Sequence, residues 1–126
     1  MNALLDTNIL IYYFNGLVKD EKIDSLLQNS FNISIITKIE FLSWSKLNED
    51  VQLDKKARAF LSYAKLFDLN DQVAHKTIEI RRKFKTKTPD AIIAATALVY
   101  GMSVVTNNIS DFAPLGLEVI EVNVEL

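Results

Sequence analysis

The stretch that decides the fold is TPDAIIAATALVYGMSVVT, residues 88–106. After its opening Thr88-Pro89-Asp90 it is almost wholly apolar up to Gly101, which predicts a helix over residues 88–100 with proline in the first turn. A helix that is apolar on all sides is expected to be buried, here against a sheet. Residues 103–106 are rich in β-branched side chains and predict a strand of that sheet.

The same alternation of short apolar runs and helical patterns extends toward both ends of the chain. Apolar runs predict strands at residues 3–5, 32–36, 103–106 and 118–122. Helical spacing predicts further helices at residues 20–28, 37–47, 53–67 and 73–84. Strands that alternate with helices indicate an α/β fold with a mostly parallel central sheet. A length of 126 residues fits a single domain, residues 1–126.

The composition excludes several classes of protein. The chain has no cysteine, so disulfides and thiol chemistry are excluded and a reducing compartment is favoured. Asp6 interrupts the first apolar run, which argues against a signal peptide, and the apolar stretch at residues 92–105 is too short to cross a bilayer. We therefore expect no membrane association and a cytoplasmic protein. The net charge of −2 does not by itself indicate nucleic-acid binding.

Four acids are candidates for a functional site. Asp6 ends a predicted strand, Glu40 and Asp111 lie shortly after one, and Asp90 lies in the first turn of the predicted apolar helix. Each has a local explanation. Asp6 can cap a helix, Thr37 and Glu40 match a capping box at a predicted helix start, and Asp111 lies in a turn-forming segment. Thr88-Pro89-Asp90 has the order of a cap, a first-turn proline and an acid that the helix dipole favours.

These local roles do not explain why the acids converge. The carboxyl ends of parallel strands meet at one edge of a sheet, so Asp6, Glu40 and Asp111 are expected to lie together there. Asp90 reaches the same edge if its helix packs accordingly. At 4 Å two carboxylates repel by about 4 kcal/mol at an effective dielectric near 20, unless protons or cations neutralise them. Oxygen donors, with His75 as the lone histidine, suit Mg²⁺ or Mn²⁺. Such ions are commonly used to hydrolyse phosphodiesters.

Four segments match a known family in order and spacing: LLDTNILI (4–11), IITKIEFL (35–42), TPDAIIAATA (88–97) and VTNNISDF (105–112). The chain resembles, over nearly its whole length, a PIN-domain protein, and more narrowly a VapC-like toxin ribonuclease of a toxin–antitoxin pair. The resemblance implies a three-layer PIN-like domain with a mostly parallel sheet flanked by helices.

The resemblance also implies roles for individual residues. Asp6, Glu40 and Asp90 would hold Mg²⁺ or Mn²⁺ and form the catalytic site. Some relatives have a fourth acid where this chain has Asn108, and others have it at the position of Asp111, so either residue would complete the site. The side chains that would orient the carboxylates and waters are Thr7, Asn8, Thr106 and Asn108.

The activity implied is endoribonuclease hydrolysis of RNA, in which an activated water attacks phosphorus in line and the ribose 3′ oxygen leaves. A toxin of this kind blocks translation or growth. It is typically a homodimer, and a cognate antitoxin covers its active site. These properties are expectations from the resemblance.

A basic segment, RRKFKTK at residues 81–87, leads directly into the Thr88-Pro89-Asp90 motif. We interpret Arg82, Lys85 and Lys87 as possible contacts to RNA phosphates. The alternative is a solvated helix end, where cations are favoured by the helix dipole.

Two other functions stay open. Asp6 after the first strand is also typical of a phosphatase with an aspartyl nucleophile, although the second acid of that motif is replaced by Asn8. A catalytically inactive PIN-like interaction module would keep the fold without the chemistry. Intact Asp6, Glu40 and Asp90 argue against the inactive module, because a repulsive cluster has no purpose in a protein without a catalytic site.

Overall fold

The computed structural model describes residues 2–125 and confirms the α/β architecture. Within this range the strands are β1 (Ala3–Leu5), β2 (Asn32–Ser34), β3 (Lys65–Phe67), β4 (Ser103–Val105) and β5 (Val119–Ile120). The α-helices are α1 (Thr7–Phe14), α2 (Glu21–Asn29), α3 (Ile35–Leu42), α4 (Val51–Leu61), α5 (Asp71–Lys83), α6 (Thr88–Tyr100) and α7 (Ile109–Phe112). Two 3₁₀ turns, Ser45–Asn48 and Ala113–Leu115, follow α3 and α7.

The strands form one parallel sheet in the order β3-β2-β1-β4-β5. The chain runs outward from β1 through β2 to β3, then returns to β4 on the other side of β1 and continues to β5. β1 and β4 are in register, with Ala3 opposite Ser103 and Leu5 opposite Val105. The order of strands therefore reverses between β1 and β4, and open α/β sheets bind their ligands beyond the carboxyl ends of such a pair.

Hydrophobic cores on the two faces of the sheet confirm the three layers. Side chains alternate along β1, because Ala3 and Leu5 belong to one core and Leu4 to the other. The first core includes side chains of α1, α2, α3 and α4. The second contains α6, whose residues 91–97 are all buried, together with side chains of α5 and α7. The expectation of a buried apolar helix against the sheet is thus confirmed.

The start of α3 differs from the prediction. We expected a strand over residues 32–36 and a helix from Thr37, but the strand ends at Ser34 and the helix begins at Ile35. The Ser34 hydroxyl caps the helix by accepting a hydrogen bond of 3.1 Å from the backbone N–H of Ile36. Isoleucine favours strands, so the local pattern favoured a strand at two positions where the serine cap starts a helix instead.

The predicted helix over residues 53–67 is wrong at its end. α4 stops at Leu61, and Lys65–Phe67 forms β3 at the edge of the sheet, with Ile33 opposite Leu66 in the neighbouring strand. The backbone N–H of Lys65 donates to the carbonyl of Phe31 at 2.7 Å. Pairing with a strand more than thirty residues earlier in the chain overrides a local helical pattern.

No helix within residues 2–125 is both long enough and apolar enough to cross a membrane.

Candidate active site

Asp6 is at the centre of the site. It directly follows β1 and is the N-cap of α1, where its Oδ1 accepts a hydrogen bond of 2.8 Å from the N–H of Thr7. Its Oδ2 accepts a second bond, of 2.9 Å, from the hydroxyl of Thr106, which directly follows β4. Asp6 is only 4% exposed. The predicted cap is therefore real, and it also holds a buried carboxylate where the strand order reverses.

Burial and like charge both act on this carboxylate. The pKa of Asp6 is raised from 3.8 to about 6, mainly by burial, with a smaller rise from the charges of Asp90 and Glu40, while the hydrogen bonds from Thr106 and Thr7 oppose the rise. The three ion pairs among residues 2–125 involve other acids. The Asp6 carboxylate thus lies among negative charges without a protein cation paired to it.

Glu40 is held by a pair of threonines. Because α3 begins at Ile35, Glu40 lies in the second turn and not in the first, so the proposed capping box with Thr37 is wrong. The Thr7 hydroxyl lies 2.7 Å from Oε1 of Glu40 and 3.0 Å from the Thr37 hydroxyl. A hydroxyl has one proton, so Thr37 donates to Thr7 and Thr7 donates to Glu40. This chain of bonds orients the carboxylate toward α1.

Asp90 and Asp111 complete the group. Asp90 lies in the first turn of α6 as predicted, although the N-cap is Lys87, which makes no side-chain capping bond, and Thr88 is the first helical residue. Burial raises the pKa of Asp90, the charges of Asp111 and Glu40 raise it further, and Lys87 lowers it. The electrostatic contacts therefore link all four predicted acids.

The carboxylate of Asp111 accepts a hydrogen bond of 2.5 Å from the side-chain amide of Asn108. The backbone N–H of Asn108 in turn donates to the Thr106 hydroxyl at 2.9 Å. Both candidates for the fourth position thus lie side by side and are connected to Asp6 through Thr106.

The donor set fits a hard divalent cation. Its donors are carboxylate oxygens, which Mg²⁺ and Mn²⁺ prefer, and His75 lies exposed on α5. Among residues 2–125, no three acidic or histidine side chains are close enough to enclose one ion in their present rotamers. Asp6 is buried and Asp90 is partly buried, whereas Glu40 and Asp111 are exposed.

The predicted orienting residues have different surroundings. Thr7, Thr106 and Asn108 bond to the acids as described, whereas Asn8 is exposed and makes no side-chain hydrogen bond within the part of the chain described. Thr37, which is fully buried, was missed as a member of this group. Its sequence signal was present in the Thr-x-x-Glu spacing, but we attributed that spacing to a helix cap.

The basic segment divides between two cavities. Lys85 and Lys87 line a cavity that Asp90 and Asp111 also line. Arg82 lines a different, mainly apolar groove between α5 and α6. The structure therefore places two of the three predicted RNA contacts beside the acids.

A comparison with models of known protein families decides the classification. The model of the PIN domain family matches residues 3–113. The chain belongs to the PIN domain family. The matched range includes all four acids of this PIN domain. Comparison with curated proteins finds no significant match.

Solved structures agree with this classification. A chain of a toxin–antitoxin complex from Klebsiella pneumoniae is 31% identical, with a TM-score of 0.77 over 94% of this PIN domain and 96% of that chain. A chain of DNA-bound VapBC from Salmonella typhimurium is 25% identical, with a TM-score of 0.82 over 96% and 98%. VapBC2 from Rickettsia felis, bound to a promoter DNA fragment, matches at 24% identity and a TM-score of 0.82 over 98% and 100%. The expected VapC-like PIN fold is confirmed.

Proposed function

We propose that this PIN domain is an endoribonuclease that depends on Mg²⁺ or Mn²⁺, acts in the cytoplasm and is the toxin of a toxin–antitoxin pair. One observation carries the proposal. Asp6 is buried at the point where the strand order reverses, with Glu40 and Asp90 as charged neighbours and with no protein cation paired to it. Such a carboxylate costs stability unless a cation binds there, which favours a metal site over a purely structural role.

The residues of the proposed site have different roles. Asp6, Glu40 and Asp90 would hold the cation, with Asp111 or Asn108 at the outer corner. A bound cation would supply activation of a water and neutralisation of charge on the phosphate. The side chains of Thr106 and Thr7 fix the carboxylates of Asp6 and Glu40 through the bonds described above. Lys85 and Lys87 would bind the RNA phosphates that flank the acids.

We also propose two protein partners, a cognate antitoxin and a second copy of this chain. Support for the antitoxin comes from the matched structures, since those from Klebsiella, Salmonella and Rickettsia are toxin–antitoxin complexes or VapBC assemblies. Exposed apolar side chains, including Ile39, Val51 and Leu69, leave surface that a protein partner would bury. Release from the antitoxin would then allow RNA cleavage and block translation or growth.

The proposal is tested by adding Mn²⁺ to purified, metal-free protein. At ten times its dissociation constant, a cation that binds only the folded state adds about 1.4 kcal/mol to the free energy of unfolding, which thermal melts detect. The same addition should start cleavage of cellular RNA, and excess chelator should stop it.

Cleavage that persists in chelator would contradict the metal requirement. Stabilisation by Mn²⁺ without RNA cleavage would favour the inactive interaction module. Hydrolysis of a phosphomonoester with RNA left intact would favour the phosphatase.

The RNA contacts can be tested through salt dependence. For single-stranded RNA each neutralised phosphate contributes about 0.7 to the slope of log binding constant against log salt concentration. The double variant Lys85→Gln/Lys87→Gln should therefore reduce the magnitude of this negative slope by about 1.4. Fluorescence anisotropy of a labelled RNA in chelator measures the binding. Adding Arg82→Gln to the double variant measures how much this third predicted contact contributes to the salt slope.

Lys55→Gln/Lys56→Gln is a matched control, because both lysines are exposed on α4 and line no cavity with the acids. If both double variants reduce the slope equally, the slope reflects the net charge of the protein, and the proposed contacts of Lys85 and Lys87 with RNA are wrong.

A further inference from the structure

The cavity beside the acids is also lined by Phe84, Ser110 and Leu115, which the proposed chemistry does not use. It measures about 310 Å³ and lies between the α5–α6 connection, residues 84–87, and the segment that contains Ser110, Asp111, Pro114 and Leu115. This volume is at the small end of the range for ligand sites, about 300–1,000 Å³. The cavity therefore suits a small group and excludes a duplex.

The lining combines three kinds of chemistry. Lys85 and Lys87 are exposed cations that form no ion pair with residues in the described range. Phe84 is 38% exposed, so an aromatic ring remains available on the same cavity, with Leu115 as a second apolar residue. Ser110 adds a hydroxyl that can donate and accept. An inorganic anion would need only the lysines, and a purely apolar ligand would need neither them nor the hydroxyl.

A nucleotide needs all three, because it carries a phosphate, a flat apolar base face and polar base edges. We propose that this cavity binds a single unpaired nucleotide of the RNA beside the cleaved bond, with its base on Phe84 and its phosphate at Lys85 and Lys87; this rests on the proposed ribonuclease function. A base in a duplex is covered on both faces by its neighbours and cannot enter. Stacking on an aromatic ring tolerates any base. The cavity therefore requires an unpaired base, but stacking on Phe84 does not distinguish one base from another.

The segment that carries Phe84 is held in place before RNA binds. The N–H of Phe84 donates to the carbonyl of Ile80 at 2.8 Å, which closes the end of α5. The Nε of Arg81 donates to the carbonyl of Thr86 at 3.3 Å, and α6 begins immediately after Lys87. Because these bonds order the wall in advance, little conformational entropy is lost when a nucleotide binds.

The first test measures binding without cleavage. Adenosine, guanosine, cytidine and uridine 5′-monophosphates, and ribose 5-phosphate as the probe without a base, are titrated calorimetrically into the wild-type protein with Mg²⁺. At least one nucleotide should bind about fivefold tighter than ribose 5-phosphate, the lower end of what base stacking supplies. Phe84→Ala should remove this advantage and leave the affinity for ribose 5-phosphate unchanged, and Phe84→Leu, which keeps apolar bulk, should lose most of it.

Tyr63→Ala is the matched control, because Tyr63 is an aromatic residue that is 82% exposed and lines a different cavity. It should keep the full preference for nucleotides. Equal affinity for ribose 5-phosphate and all four nucleotides, or a preference that survives Phe84→Ala, would overturn the proposal.

The second test separates this inference from the proposed function. RNA oligonucleotides with an abasic residue placed at successive positions around a mapped cut should show one position where KM rises about fivefold, and Phe84→Ala should erase that difference. If wild type cleaves RNA and no position responds, the nucleotide cavity is wrong and the ribonuclease stands. If nucleotides bind through Phe84 but RNA is never cut, the cavity stands and the ribonuclease is wrong.

Discussion

Asp6→Asn should reduce Mn²⁺-dependent RNA cleavage by about a thousandfold or more, the equivalent of about 4 kcal/mol of transition-state stabilisation. Asparagine has nearly the same shape, and its oxygen can still accept the N–H of Thr7 that caps α1. What it loses is the negative charge that would hold the cation at the centre of the site. Initial rates on a labelled RNA, measured across Mn²⁺ concentrations, give the comparison.

Asp54→Asn is the matched control, because Asp54 lies on α4 and pairs at the surface with Arg58. It should cleave at the wild-type rate, and circular dichroism should show all three proteins folded. Retention of more than about a tenth of the wild-type rate by Asp6→Asn would refute the role of Asp6 as the central ligand, because loss of a metal-holding charge costs far more than tenfold.

The same substitution should stabilise the metal-free protein at neutral pH. The folded state raises the pKa of Asp6 from 3.8 to about 6, so between these values the folded protein binds a proton that the unfolded chain has released. The contribution of Asp6 to the free energy of unfolding of the wild type is therefore fully present below pH 4. It falls as the pH rises through 6, by about 3 kcal/mol in total. Asparagine does not titrate and avoids this loss.

The amide NH₂ of asparagine cannot accept the Thr106 hydroxyl proton, as an oxygen of Asp6 can in either protonation state, which costs about 1 kcal/mol. In chelator we therefore expect Asp6→Asn to be about 2 kcal/mol more stable than wild type at pH 7.5 and about 1 kcal/mol less stable at pH 4. Urea unfolding at a series of pH values measures the difference. A difference that stays constant from pH 4 to pH 7.5 would show that Asp6 is not destabilised by its surroundings, and Asp54→Asn should remain within about 0.5 kcal/mol of wild type.

The convergence of the acids was more predictable than the boundaries of the elements around them. Asp6, Glu40 and Asp111 were expected to meet because strand ends in a parallel sheet share an edge, and that rule does not depend on where a helix begins. The boundaries failed where local preference competed with something else. At Ile35 and Ile36 strand preference competed with the Ser34 cap, and at Lys65–Phe67 a helical pattern competed with pairing to β2. The error at α3 also assigned Glu40 to a capping role, although its hydrogen bond is with Thr7.

The sequence by itself determined the kinds of element and the kinds of chemistry. An almost unbroken apolar run specifies a buried α6, and oxygen donors without cysteine favour a hard cation over a soft one, because both follow from local composition. Only the tertiary structure decided which groups meet. Asp6 and Thr106 are one hundred positions apart and bond only because β1 and β4 lie side by side. The pKa of Asp6 and the cavity beside Phe84 likewise depend on burial and on the packing of distant segments, which no local pattern specifies.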